Sequence, residues 1–125
     1  MNQPEDMIIM AEDPAKNLTI EYAKERSHIV WEESDIAELY ANVANRAWWI
    51  ADEEDDYEEG TTEYQMARET TDKWFAVEKI LREKIFDILR GEGVLIPKTG
   101  QIEVLCPFME RNGYKNCAGW WIKAE

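Results

Sequence analysis

Cysteine is scarce in this chain, with Cys106 and Cys117 the only two in 125 residues. Two are too few for a disulfide scaffold. They stand eleven positions apart, and the single histidine, His28, is remote from both. Zinc sites use close Cys or His pairs, so no metal or other cofactor is expected. His28 has no sequence neighbours that would make a nucleophile and its base. A phosphate-cradling loop is missing too. Gly91-Glu92-Gly93 precedes the strand-like Val94-Leu95-Ile96, whereas dinucleotide loops open a helix. No apolar run approaches the roughly 20 residues of a membrane span. The first thirteen residues carry Glu5, Asp6, Glu12 and Asp13, the opposite of a secretory leader. These absences argue against an enzyme and against membrane insertion, and they make a cytoplasmic protein the expectation.

What is present is apolar and aromatic material in quantity. The sequence is 45% hydrophobic, with six tryptophans, five tyrosines and three phenylalanines. That suffices for one packed domain over residues 1–125. The net charge is −13, and it is unevenly placed. Residues 32–63 hold twelve acids against Arg46, while residues 64–125 are close to balanced. A field of this kind repels nucleic acid and anionic membrane and attracts basic surfaces.

Hydrophobic spacing gives the architecture. Residues 1–12 read as a loose arm. Asp13-Pro14 can start a helix over residues 14–30, although Leu18-Thr19-Ile20 also fits an extended segment. Ser34 suits the N-cap of a helix over 35–52, where Ile36, Leu39, Tyr40, Val43, Ala47 and Ile50 share one stripe. Trp49 falls off that stripe, near Glu38 and Arg46, and Trp48 lies on its flank. A longer helix is predicted over 62–90, with Thr62 and Gln65 as a capping box and Trp74, Val77, Leu81, Ile85, Ile88 and Leu89 on its apolar face. Phe75 and Phe86 widen that face. Gly91 and Gly93 end it. Gln101 to Phe108 and Lys115 to Ala124 are strand candidates, and Asn112-Gly113 between them is a hairpin signal. The expected fold is α+β. Residues 14–90 form a helical part, two long antiparallel helices or three, packed on a small C-terminal antiparallel sheet over residues 93–125.

The segment joining the two long helices reads DEEDDYEE, from Asp52 to Glu59. The bland reading is a solvated loop. The functional reading is a phosphate-like surface of Asp52, Glu53, Glu54, Asp55, Asp56, Glu58 and Glu59, with Trp49 and Glu38 as further contacts, that occupies a basic groove built to release counterions. Adjacent tryptophans, Trp48-Trp49 and Trp120-Trp121, cannot share a face, so one ring of each pair must find separate cover or an interface. In a hairpin with a two-residue Asn112-Gly113 loop, Cys106 faces Gly119. With a four-residue loop over 110–113 it faces Cys117, and only then can the two be joined.

In size, charge, lack of catalytic residues and acids clustered at a helix end, the chain resembles the small acidic inhibitors of phages and mobile elements, anti-CRISPR proteins and other DNA mimics among them. That resemblance implies a bacterial host and a basic protein partner, such as a CRISPR nuclease, with no direct contact to nucleic acid. A first alternative is a phage-type structural or regulatory protein that dimerises through exposed aromatics. A second is a magnesium-dependent all-α nucleotide pyrophosphohydrolase of the MazG type, suggested by Glu32-Glu33, Asp35-x-x-Glu38 and Glu69-x-x-Asp72. Ile36 stands where that family's third acid belongs.

Overall fold

The computed structural model describes residues 32–124. The arm over 1–12, the segment 14–30 and His28 lie outside the described residues. The first described helix, α1 (Glu33–Glu54), begins two residues before the expected point. Glu32, not Ser34, is its N-cap, in a reciprocal capping box with Asp35. Every member of the expected α1 stripe, Ile36 through Ile50, is buried. Ala37, Ala41 and Ala44 are buried as well and broaden the contact.

The second helix, α2 (Thr62–Gly91), is 30 residues, about 45 Å at ~1.5 Å per residue. Its N-cap is Thr61, one residue earlier than expected, whose Oγ1 accepts the Tyr64 N–H at 3.1 Å. Trp74, Val77, Leu81, Ile85, Phe86 and Leu89 are buried on it, with Phe75 and Ile88 half-buried. Glu54 meets Arg68 and Tyr40 meets Glu78, so α1 and α2 run antiparallel.

The C-terminal part departs from the expectation. Residues 101–108 are not a strand: Ile102–Arg111 is a third helix, α3. Ile102 and Val104 favour extended backbone locally, and Pro107 inside the segment removes one helical donor. Leu105, Phe108 and Met109, spaced three and one apart, nevertheless reach the core together only from a helix, and all three are buried. Pro107 itself is exposed. Asn112-Gly113 is a helix terminus rather than a hairpin turn. Gly113 has φ +91, and its N–H donates to the Glu110 carbonyl at 3.0 Å. The left-handed backbone that makes Asn-Gly a hairpin signal also suits the end of a helix.

The hairpin lies further on, formed by β1 (Tyr114–Cys117) and β2 (Trp120–Lys123). Cys117 pairs with Trp120 across a two-residue turn, and Asn116 with Trp121. Cys106 sits on α3 and Cys117 on β1, and both thiols are free. Neither proposed register holds, so the cysteines do not face each other across a ladder. The turn residues Ala118 and Gly119 both have positive φ, 54° and 94°. Gly119 adopts this freely and Ala118 does not. Ala118→Asn should therefore stabilise the protein by about 1 kcal/mol, measured by urea denaturation. An unchanged midpoint would mean that the turn is not under strain.

Candidate functional site

The acid run occupies the tip of the helical hairpin. Asp52, Glu53 and Glu54 form the last turn of α1, which holds no basic residue. Asp55 and Asp56 continue it through backbone turns, their N–H groups donating to the Asp52 and Glu53 carbonyls. The loop closes where the Thr61 N–H and Oγ1 both donate to the Glu58 carbonyl. Asp52, Glu53, Asp55, Asp56, Glu58 and Glu59 are exposed. Glu54 turns inward to Arg68, 3.4 Å away, and its side chain is 14% exposed. Among the described residues that is the one ion pair this run makes. The helix macrodipole makes anions unfavourable at a C-terminus, so these carboxylates oppose the fold locally.

Trp49 stands one turn before the run, 44% exposed, with the Arg46 guanidinium 4.3 Å over its ring. It borders a groove of about 350 Å³ between the end of α1 and the start of α2. Tyr57 and Met66, 44% and 61% exposed, line the same groove, with Glu53 and Glu63. Glu38 is not brought to this place. It lies fourteen residues back along α1, about 21 Å at ~1.5 Å per residue. There its charge acts on the Tyr114 phenol, which burial, first, and Glu38, second, push above its ordinary value. Tyr57, hidden inside the acid run, and Met66 were not legible as site residues; their lack of a place on either core stripe was the available signal.

The other tryptophan of the pair, Trp48, is 50% exposed and packs edge-on against Phe75 at 5.3 Å. It borders a second groove, of about 450 Å³, that also reaches Tyr40, Glu78, Arg82 and Trp121. Trp121 is the buried member of its pair, while Trp120 is half-buried.

At two places carboxylates serve the fold itself. Glu33 accepts from Arg111 Nε at 2.8 Å and Nη2 at 2.6 Å, and from Asn112 Nδ2 at 2.7 Å. Arg111 also reaches both oxygens of Glu92, joining the start of α1 to the far end of α2. The Arg111 hydrogen bond holds the Glu33 carboxyl below its ordinary range, so this acid is neutralised within the molecule. Among the described residues no group of three or more His, Cys, Asp or Glu is placed to hold a metal ion, and the acid pairs at Glu32-Glu33, Asp35/Glu38 and Glu69/Asp72 form none.

Glu78 is the second. It is 8% exposed and accepts the Tyr40 hydroxyl proton at 2.7 Å. Arg82 Nε lies 3.5 Å away, near enough for an ion pair but not aligned as a hydrogen bond. Burial raises the Glu78 carboxyl above its ordinary 4.5, outweighing Tyr40 and Arg82, which lower it. The folded protein therefore binds this proton more tightly than the unfolded chain does. The resulting contribution to stability is full below pH 4.5 and declines as pH rises through the elevated folded value. Glu78→Gln keeps the acceptor for Tyr40 and stays neutral. It should be at least as stable as the parent at neutral pH, and in pH-dependent thermal melts it should lose this falling component. A variant that is less stable at neutral pH would show that the charge, not its burial, dominates the site.

Comparison of the chain with protein-family models, with curated proteins and with solved structures gave no match.

Proposed function

We propose that this chain is an acidic protein-binding inhibitor that occupies a basic, nucleic-acid-binding surface of a partner protein. The observation that carries the reading is the set of six exposed carboxylates at the hairpin tip, of which the described bases of the chain neutralise none. They sit on a helix end and hydrogen-bonded turns, so their spacing is held by the backbone. A surface that lowers local stability and leaves its charge uncompensated is explained by a partner that supplies the opposite charge. The resemblance in size, charge and clustered acids to DNA-mimicking and anti-CRISPR proteins supports a bacterial nucleic-acid effector as the partner class.

The test is capture on the immobilised protein from bacterial lysate at about 0.1 M salt, elution at about 0.5 M, and competition of the eluted protein with duplex DNA. A basic protein for which DNA and this chain compete supports the reading. Capture as strong at the higher salt as at the lower, or a partner that binds both at once, overturns it.

A second reading, self-association through aromatics, has Trp48 in its favour. Trp48 is half exposed and borders the larger groove. The net charge of −13 opposes the approach of two copies at low salt. A dimer of this kind would form more readily at high salt and be lost in Trp48→Ala, as read by light scattering.

A further inference from the structure

Three large side chains at the hairpin tip are exposed for no reason of packing: Trp49, Tyr57 and Met66, brought together from α1, the loop and α2. Trp, Tyr, Met and Arg are the residue types that concentrate at the centres of protein interfaces, whereas acids belong to their rims. Here the apolar trio and Arg46 line a groove of about 350 Å³ that Glu53 and Glu63 also border. We infer that this groove receives one arginine or lysine side chain of the partner, an inference that rests on the basic-partner reading above.

The chemistry selects that occupant. Arginine and lysine carry a long apolar stem and a charged head. The groove offers apolar walls for the stem and carboxylates for the head. An apolar side chain would bury against the walls but desolvate Glu53 and Glu63 without pairing them. An acidic one would meet two carboxylates and the exposed acids of the adjoining loop. The molecule already shows that the Trp49 ring accepts a cation, since the Arg46 guanidinium lies 4.3 Å over it. The Arg46 Nε is buried without a hydrogen-bond partner, and among the described residues Arg46 makes no ion pair. Among the described residues its contact is the Trp49 ring and not a carboxylate, which leaves Glu53 and Glu63 for an incoming head group. The apolar walls of the groove thus supply a contact that salt does not screen, beside carboxylates and a loop whose attraction salt does screen.

An octa-arginine peptide is the probe, titrated at about 0.1 M and about 0.5 M salt by calorimetry and by the Trp49 indole resonance in ¹H–¹⁵N spectra. Three variants separate groove from loop: Trp49→Ala, Met66→Ala, and a loop variant carrying Asp55→Asn, Asp56→Asn, Glu58→Gln and Glu59→Gln. All the altered side chains are exposed, and retained folding is checked by circular dichroism. The inference expects the Trp49 resonance to shift on binding. At the higher salt, Trp49→Ala and Met66→Ala should each weaken the peptide by about tenfold. The loop variant should lose affinity mainly at the lower salt and keep the Trp49 shift. If Trp49→Ala and Met66→Ala bind like the parent while the loop variant does not, the groove assignment is overturned and the basic-partner reading stands. If the parent fails to bind the peptide at the lower salt, both fall.

Discussion

Neutralising Asp52, Glu53, Asp55 and Asp56 as their amides makes the protein more stable and less able to bind: this is the expected result with the largest functional effect. Stability should rise because these carboxylates crowd the C-terminus of α1, where the backbone carbonyls already concentrate negative charge. Each such anion costs roughly 0.3–1 kcal/mol at the surface, so relief of roughly 1–2 kcal/mol is expected after screening. Binding should fall because the same charges provide attraction and fast encounter with a basic groove. A loss of about 3 kcal/mol, about a hundredfold in Kd, is the scale for four neutralised contacts. Thermal melts and the affinity of the captured partner measure the two halves. Lower stability would reveal structural partners for these carboxylates. Unchanged affinity would remove the tip from the interface.

The largest structural effect is expected at Asn45. Its Nδ2 donates to the Trp121 carbonyl at 2.7 Å, and its Oδ1 accepts the Trp121 N–H at 2.8 Å. Cys117 and Trp120 close the two-residue turn as a hydrogen-bonded pair, so at Asn116 and Trp121 the backbone groups point away from the partner strand. The Asn45 amide therefore takes the place of a third strand on the outer edge of β2. A two-stranded hairpin is marginal by itself. This one depends on the Trp121 ring, buried against α1 beside Tyr40 at a centroid distance of 6.3 Å, and on the Asn45 clamp. Asn45→Ala leaves a donor and an acceptor unpaired in a half-buried place, which costs about 2–4 kcal/mol. Urea denaturation reads the loss, and the near-ultraviolet dichroism of the tryptophans shows whether the hairpin separates first. Stability within about 0.5 kcal/mol of the parent would mean that Trp121 alone docks the hairpin.

The helical hairpin was legible from residue spacing because its determinants are periodic and local. Ile36 to Ile50 and Trp74 to Leu89 repeat at helical intervals, and a stripe of that length admits one regular structure. The helix ends were legible to within two residues because capping chemistry is offered by several neighbours at once: Glu32, Ser34 and Thr61, Thr62 are all plausible caps, and their surroundings select one. The acid run, its charge and its position between the helices were equally plain. Short segments behaved differently. Ten residues around Pro107 carry β-branched and helix-breaking signals, yet the core had places for Leu105, Phe108 and Met109 that only a helix fills, and burial outweighed propensity. Once that segment was helical, Asn112-Gly113 became its terminus and the hairpin moved to Ala118-Gly119.

Sequence by itself thus determined what repeats or accumulates along the chain: two amphipathic helices, one domain's worth of apolar side chains, and a concentrated negative charge. Tertiary structure alone decided which groups from distant positions meet. It set Glu33 against Arg111, Glu78 beneath Tyr40, Asn45 along β2, and Trp49 beside Tyr57 and Met66. Periodicity fixes which face of an element is apolar, but pairings between faces depend on how whole helices pack, and no local pattern encodes that.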